Sequence, residues 1–141
     1  MRVSVGTMGA HKVATILVVD DEQPVVDLLT DMLEDEGHTV IPAYNGRVAL
    51  EIVEQQSPDL VISDVMMPFV DGIQLCKLLR EEHDPRDLPV ILMSAALPPD
   101  LSTCGANAFL GKPFDIGRFD DLIALYVRDR GAADDTAGSN N

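Results

Sequence analysis

Three stretches of the chain are apolar almost without interruption: TILVVD from Thr15, DLVISD from Asp59 and LPVILMSA from Leu88. None alternates polar with apolar residues. Strands of that kind are covered on both faces, the situation of a parallel sheet with helices above and below it. The intervening segments support this. Val25, Leu28, Leu29, Met32 and Leu33 recur at helical spacing, and Gly37 stands where that helix would stop. TVIPA is a short second strand whose Pro42, unable to donate to a ladder, suits a sheet edge. GRVALEIVEQQ is a helix with Ala49, Ile52 and Val53 on one face, and DGIQLCKLLREE is a helix with Leu75, Cys76 and Leu79 inward. NAFLGK reads as a brief fifth strand, and Ile116, Phe119, Leu122, Ile123, Tyr126 and Val127 mark a last helix. Five strands interleaved with helices define an α/β fold, with right-handed crossovers.

At 141 residues there is room for one such domain. Expected boundaries are a flexible leader at 1–14, the domain at 15–128 and a disordered tail at 129–141, where GAADDTAGSNN has little to bury. The leader lacks the apolar core of a secretory signal, and no apolar run is long enough to span a bilayer. Acids outnumber bases 24 to 10, for a formal charge of -14. Such a surface repels phosphate backbones and anionic membranes and steers basic partner surfaces toward it. Cys76 and Cys104 have no metal-type spacing and read as reduced thiols in or near the core. His11, His38 and His83 are scattered and read as surface residues. These features point to the cytoplasm.

In open α/β sheets functional groups gather at the carboxyl ends of the strands, near the point where strand order reverses. Here those ends carry Asp20, Asp21 and Glu22 after the first strand, Asp64 after the third, Ser94 after the fourth and Lys112 after the fifth. Carboxylates so placed repel one another unless a counter-charge joins them. A hard divalent cation with oxygen ligands, Mg2+, answers that need, whereas zinc would want clustered His or Cys. A cation, a lysine and a hydroxyl around one aspartate suit a phosphoryl group in transfer, with the aspartate as nucleophile.

These motifs, VVDDE, SDVMMPFVDG, MSA and LGKPF, occur in the order found in response-regulator receiver domains of two-component signalling, which the chain resembles from about Thr15 to Val127. The resemblance implies a flavodoxin-like three-layer sandwich of strand order 2-1-3-4-5. It implies a phosphorylatable switch, not a metabolic enzyme, whose only chemistry is self-catalysed phosphotransfer and self-hydrolysis. Asp64 is implied as phosphoacceptor, with the phosphoryl group donated by a histidine kinase or phosphotransfer protein. Asp21, Asp64 and the Met66 backbone carbonyl are implied as Mg2+ ligands, with Asp20 holding metal-bound water. Ser94 is similar to the switch hydroxyl, Lys112 to the lysine that pairs with the phosphoryl group, and Phe109 to the switch aromatic. In the family the bond corresponding to Lys112–Pro113 is often cis. Glu22 either assists the cradle or favours the positive end of the first helix.

Three other readings fit less well. GANAFLGKP has the wrong spacing for a phosphate-binding loop. DDE lacks the D-x-D of haloacid-dehalogenase phosphatases. A degenerate receiver would not keep Asp20, Asp21, Asp64, Ser94 and Lys112 together. The chain departs from the family between Ser94 and Lys112, where AALPPDLSTCGANAFLG is several residues short. With Pro98 and Pro99 present, only a turn or two of a fourth helix fits before Gly105. This is either a tolerated loop deletion or an altered output surface, which would put the usual symmetric dimer in doubt and leave a monomer or weak dimer. Met66 and Ala96, each two residues beyond a site residue, have no side-chain group to bond an attacking water, so slow self-hydrolysis is expected. No DNA-binding helices follow the last helix, so output is expected through protein contacts or a domain absent from this chain.

Overall fold

The computed structural model describes residues 13–96 and 100–139, the last twelve by backbone alone. The expected leader therefore lies almost wholly outside the described residues, as do Pro98 and Pro99. Ten elements alternate: β1 (Thr15–Val19), α1 (Gln23–Asp35), β2 (Thr39–Ala43), α2 (Gly46–Gln56), β3 (Leu60–Asp64), α3 (Gly72–Arg80), β4 (Val90–Ser94), α4 (Leu101–Cys104), β5 (Ala108–Gly111) and α5 (Ile116–Ser139). All strand pairs are parallel, in the order β2-β1-β3-β4-β5. The order reverses between β1 and β3, so the connections that leave their carboxyl ends turn to opposite faces of the sheet and leave a crevice.

The uninterrupted strands divide their side chains between two cores. Leu17, Val19, Val61 and Leu92 pack on one face with Ala49, Val53, Leu75, Cys76 and Leu79 from α2 and α3. Ile16, Val18, Ile62 and Met93 pack on the other with α1 and α5, through Val26, Leu29, Leu33, Phe119, Ile123 and Val127. Each buried valine, leucine, isoleucine, methionine or phenylalanine here contributes about 1.5–3 kcal/mol by leaving water. Pro42 lies on the edge strand, as its missing N–H requires.

Caps set the helix starts. Asn45 accepts from the Val48 amide at 2.8 Å. Asp71 accepts from the Gln74 amide at 2.8 Å while the Gln74 side chain accepts from the Asp71 amide at 3.2 Å, a reciprocal capping box. Gly37, with φ 95°, follows α1 in the left-handed conformation that closes a helix.

Some particulars differ from expectation. The inward stripe of α1 is Val26, Leu29 and Leu33, while Leu28 is 53% exposed and Val25 and Met32 are only partly buried. The helical period was right, but its phase is set by where α1 lies on the sheet. His38 is buried, its Nδ1 accepting the Ala14 amide proton at 3.0 Å. His83 is half-buried, and His11 lies outside the described residues. The backbone of α5 runs on to Ser139, into the stretch expected as a tail.

The fourth helix is the single turn that the short β4–β5 connection allows, begun by Asp100, which accepts from the Ser102 amide at 3.0 Å, and ended by Gly105 at φ 83°. Arg80 closes the gap. Its guanidinium donates to the Gly105 carbonyl at 2.8 Å, the Leu88 carbonyl at 2.9 Å and Asn107 Oδ1 at 2.9 Å. Asn107 Oδ1 also accepts from the Val90 amide at 2.9 Å, and the Tyr126 hydroxyl donates to the Asn107 carbonyl at 3.0 Å. One arginine thus ties α3 to the start of β5. Cys76 and Cys104 are free and buried where α3 meets α4. Burial first, and then the neighbouring Cys104, push the Cys76 thiol up to about 12, as befits an unreactive core thiol.

Candidate functional site

The crevice between the ends of β1 and β3 collects the residues singled out above. Asp20 follows β1 directly, and its amide extends the ladder by donating to the Ala43 carbonyl at 3.1 Å. That anchors it at 0% exposure. Asp64 is the last residue of β3 and is 5% exposed. The next turn is pressed against it: the Gly72 amide donates to the Val65 carbonyl at 2.9 Å, and a Cβ on Gly72 would collide with the Asp64 carbonyl oxygen. Only glycine fits there.

Lys112 follows β5, its backbone amide held by the Ser94 carbonyl at 2.9 Å. Its side chain crosses the rim and pairs with two carboxylates at once, Nζ lying 2.9 Å from Asp20 Oδ2 and 2.8 Å from Asp64 Oδ1. The Lys112–Pro113 peptide is cis. Asp20, Asp21 and Asp64 each present a carboxylate oxygen within 4.8 Å of the others, Asp21 from an exposed position. One ammonium against three carboxylates leaves the site negative. Burial, set against the Lys112 hydrogen bond and reinforced by Asp20, pushes the Asp64 carboxyl above its usual range. Burial alone would lower Lys112, but its hydrogen bonds to Asp64 and Asp20 hold it above the usual lysine value.

The other expected residues are placed as follows. Ser94 is buried, and its Oγ accepts the Ala96 amide proton at 3.0 Å, within its own loop. Phe109 is partly buried against the core layer beneath α2, α3 and α4. Met66 is exposed. The Glu22 side chain is exposed and makes no cap, yet its backbone amide donates to Asp20 Oδ1 at 2.9 Å. Glu22 thus meets the site through its peptide, not its carboxylate. Residue type gives no signal of that bond. Phe69, a bulky residue between Pro68 and Asp71 in the SDVMMPFVDG loop, is exposed with φ 68°.

The parallel five-stranded sheet thus carries an acidic crevice at its switch point, bridged by a lysine. Residues 16–124 match the response regulator receiver domain family, to which the chain belongs. It is 30% identical over 119 residues to the polar-differentiation response regulator DivK of Brucella anthropi, covering 82% of this chain and 97% of that one. It is 38% identical over 122 residues to the regulatory protein VanRc of Enterococcus gallinarum, covering 80% of this chain but 51% of that relative. Among solved structures, the response regulator TrrA of Thermotoga maritima, in complex with Mg2+-BeF, superposes with a TM-score of 0.73 at 32% identity, over 79% of this chain and 97% of that one. The chain is thus a receiver domain, a phosphorylatable switch of two-component signalling. Among the described residues no helix is long and apolar enough to cross a membrane.

Proposed function

We propose that the switch is thrown by a phosphoryl group carried on Asp64, delivered by a histidine kinase or phosphotransfer protein and read out through protein contacts in the cytoplasm. The observation that carries this is the double pairing of Lys112 with Asp20 and Asp64 beside a third carboxylate. An Asp64 oxygen attacks phosphorus as the bond from phosphorus to the donor's histidine nitrogen breaks, giving a mixed anhydride. Lys112, already on Asp64, has only to shift to a phosphoryl oxygen. The Ser94 hydroxyl reaches the same group by leaving the Ala96 amide, and that exchange, followed by Phe109 repacking, is the two-state element. As Phe109 has no hydroxyl, packing alone carries its signal.

The donor set fits a hard divalent cation: carboxylate oxygens, clustered and under-neutralised. Asp21, Asp64 and the Met66 carbonyl would hold Mg2+ and Asp20 its water, and TrrA in complex with Mg2+-BeF supports that reading. Bound there, the ion supplies charge neutralisation to the phosphoryl oxygens. Residues 15–128 form the functional unit, which works as a monomer or weak dimer because the single-turn α4 offers little of the face a symmetric dimer needs.

Incubation with acetyl phosphate, with and without Mg2+, followed by intact-mass measurement, tests the reading. One stable phosphoryl group is expected, dependent on Mg2+ and lost in Asp64→Ala. Repeated turnover of varied phosphate esters would indicate a phosphatase instead, and no uptake from any donor an inert interaction module.

A further inference from the structure

The β3–α3 loop has an inward and an outward side. Its ends are drawn together between Val65 and Gly72. Met67 is buried, and Val70 packs against the core and so closely on Gly46 that a Cβ there would lie 2.7 Å from Val70 Cγ1. The other side presents Met66, Pro68 and Phe69 to solvent, Met66 at 67% exposure and Phe69 at 98%. Phe69 also holds a left-handed backbone, φ 68°, where glycine or asparagine is at ease and a bulky side chain is strained. A ring almost wholly in water, on an unfavourable backbone, contributes nothing evident to the fold. Neither burial nor turn chemistry accounts for it.

Its place in the chain does. Asp64 is recessed and opens only between the loops at the carboxyl ends of the strands. A small acyl phosphate can enter alone. A protein whose own side chain carries the phosphoryl group must instead seat its surface on those loops, and this one puts three exposed apolar residues within five positions of the acceptor. Around them the rim is acidic, with Asp21 and Glu22 exposed on a chain of formal charge -14. Apolar contact inside a charged border is the usual anatomy of a recognition patch.

We infer that Phe69, with Met66 and Pro68, is a docking contact for the protein phosphodonor, whose matching surface is an apolar patch edged by basic side chains. This rests on Asp64 as acceptor and adds a residue that distinguishes protein donors from small ones.

The test uses the full chain and its Phe69→Gly and Phe69→Tyr variants. The donors are acetyl phosphate and a panel of purified, autophosphorylated histidine kinases from the same organism. Glycine suits the backbone, so thermal stability is not lowered. All three proteins are expected to be labelled by acetyl phosphate within about twofold. Transfer from the kinase that best labels the wild type should fall about tenfold in kcat/KM for Phe69→Gly, through KM, and be largely retained by Phe69→Tyr. Equal transfer to wild type and Phe69→Gly overturns the inference and leaves the acceptor role intact; it would assign the ring to another partner. Labelling by acetyl phosphate but by no kinase overturns it equally. Failure of both donors to label the wild type overturns the acceptor reading, and the inference with it.

Discussion

Replacing Lys112 with methionine keeps the length of the side chain and removes its charge. In the wild type the ammonium lies 2.9 Å from one Asp20 oxygen and 2.8 Å from one Asp64 oxygen, both carboxylates being nearly inaccessible. At an effective dielectric constant near 20, each pair attracts by about 6 kcal/mol before the cost of removing the ions from water. The net gain is far smaller, but deleting one partner leaves two adjacent buried carboxylates facing each other, which typically costs about 3–5 kcal/mol. The site lies at the rim, so the lower end applies: roughly 3 kcal/mol, or about 10 °C in Tm for a domain of this size. Urea denaturation of Lys112→Met at neutral pH with a chelator present measures it. Three features mark the mechanism. Excess Mg2+ restores part of the loss, because it supplies the missing charge. Adding Asp20→Asn to Lys112→Met also restores part, because one of the opposed carboxylates is gone. The defect shrinks as pH falls, since Asp64, already pushed above its usual range, takes up a proton more readily still. A loss below about 1 kcal/mol, or one untouched by Asp20→Asn, would refute the reasoning.

Other outcomes follow from the same geometry. The Asp64 carboxyl is raised from its usual 3.8, so its cost to the fold is absent below that value and grows as pH rises through the raised one; Asp64→Asn should therefore increase stability at neutral pH without cation and lose that advantage in acid, by thermal melts across pH. Lys112 is raised from 10.5, so its contribution is complete below that value and is lost as pH climbs through the raised one, an alkaline transition that Lys112→Met should lack. Arg80→Met removes the bonds to Gly105, Leu88 and Asn107 and should cost roughly 3 kcal/mol, with faster hydrogen exchange confined to residues 101–107. With Met66 and Ala96 beside the site, the phosphorylated protein should keep its label for minutes or longer, and Met66→Asn should shorten that lifetime, as followed by phosphate release.

What could be read from the residues, and what could not, divides along physical lines. Strands covered on both faces have a composition of their own, so TILVV, LVISD and VILMS were legible, and the strand-end rule then led to Asp20, Asp64, Ser94 and Lys112 without coordinates. The short α4 was legible too, because chain length and prolines limit what fits between β4 and β5. The phase of α1 was not, since periodicity shows that a face exists and tertiary placement decides whether Val26 or Leu28 lies on it. The buried His38 accepts from the Ala14 amide, 24 residues away in the chain, a pairing that only folding creates. Nothing local marks Arg80 as the residue that bridges α3 and β5, because its partners, backbone carbonyls and the Asn107 side chain, are brought near by folding. The Glu22 contribution was invisible for a similar reason: it comes from a peptide N–H that every residue but proline has. The left-handed backbone at Phe69 contradicts local preference, and such conflicts are the ones that residue patterns do not disclose.

The central claim, that Asp64 is the phosphoacceptor, is tested most directly by trapping. After labelling with acetyl phosphate and Mg2+, borohydride reduces an aspartyl phosphate to homoserine, and peptide mass mapping locates the altered residue. Conversion at residue 64, with Asp20 and Asp21 unchanged, is the predicted result. Conversion at Asp20 or Asp21, or a label that resists reduction and survives in Asp64→Ala, would contradict it.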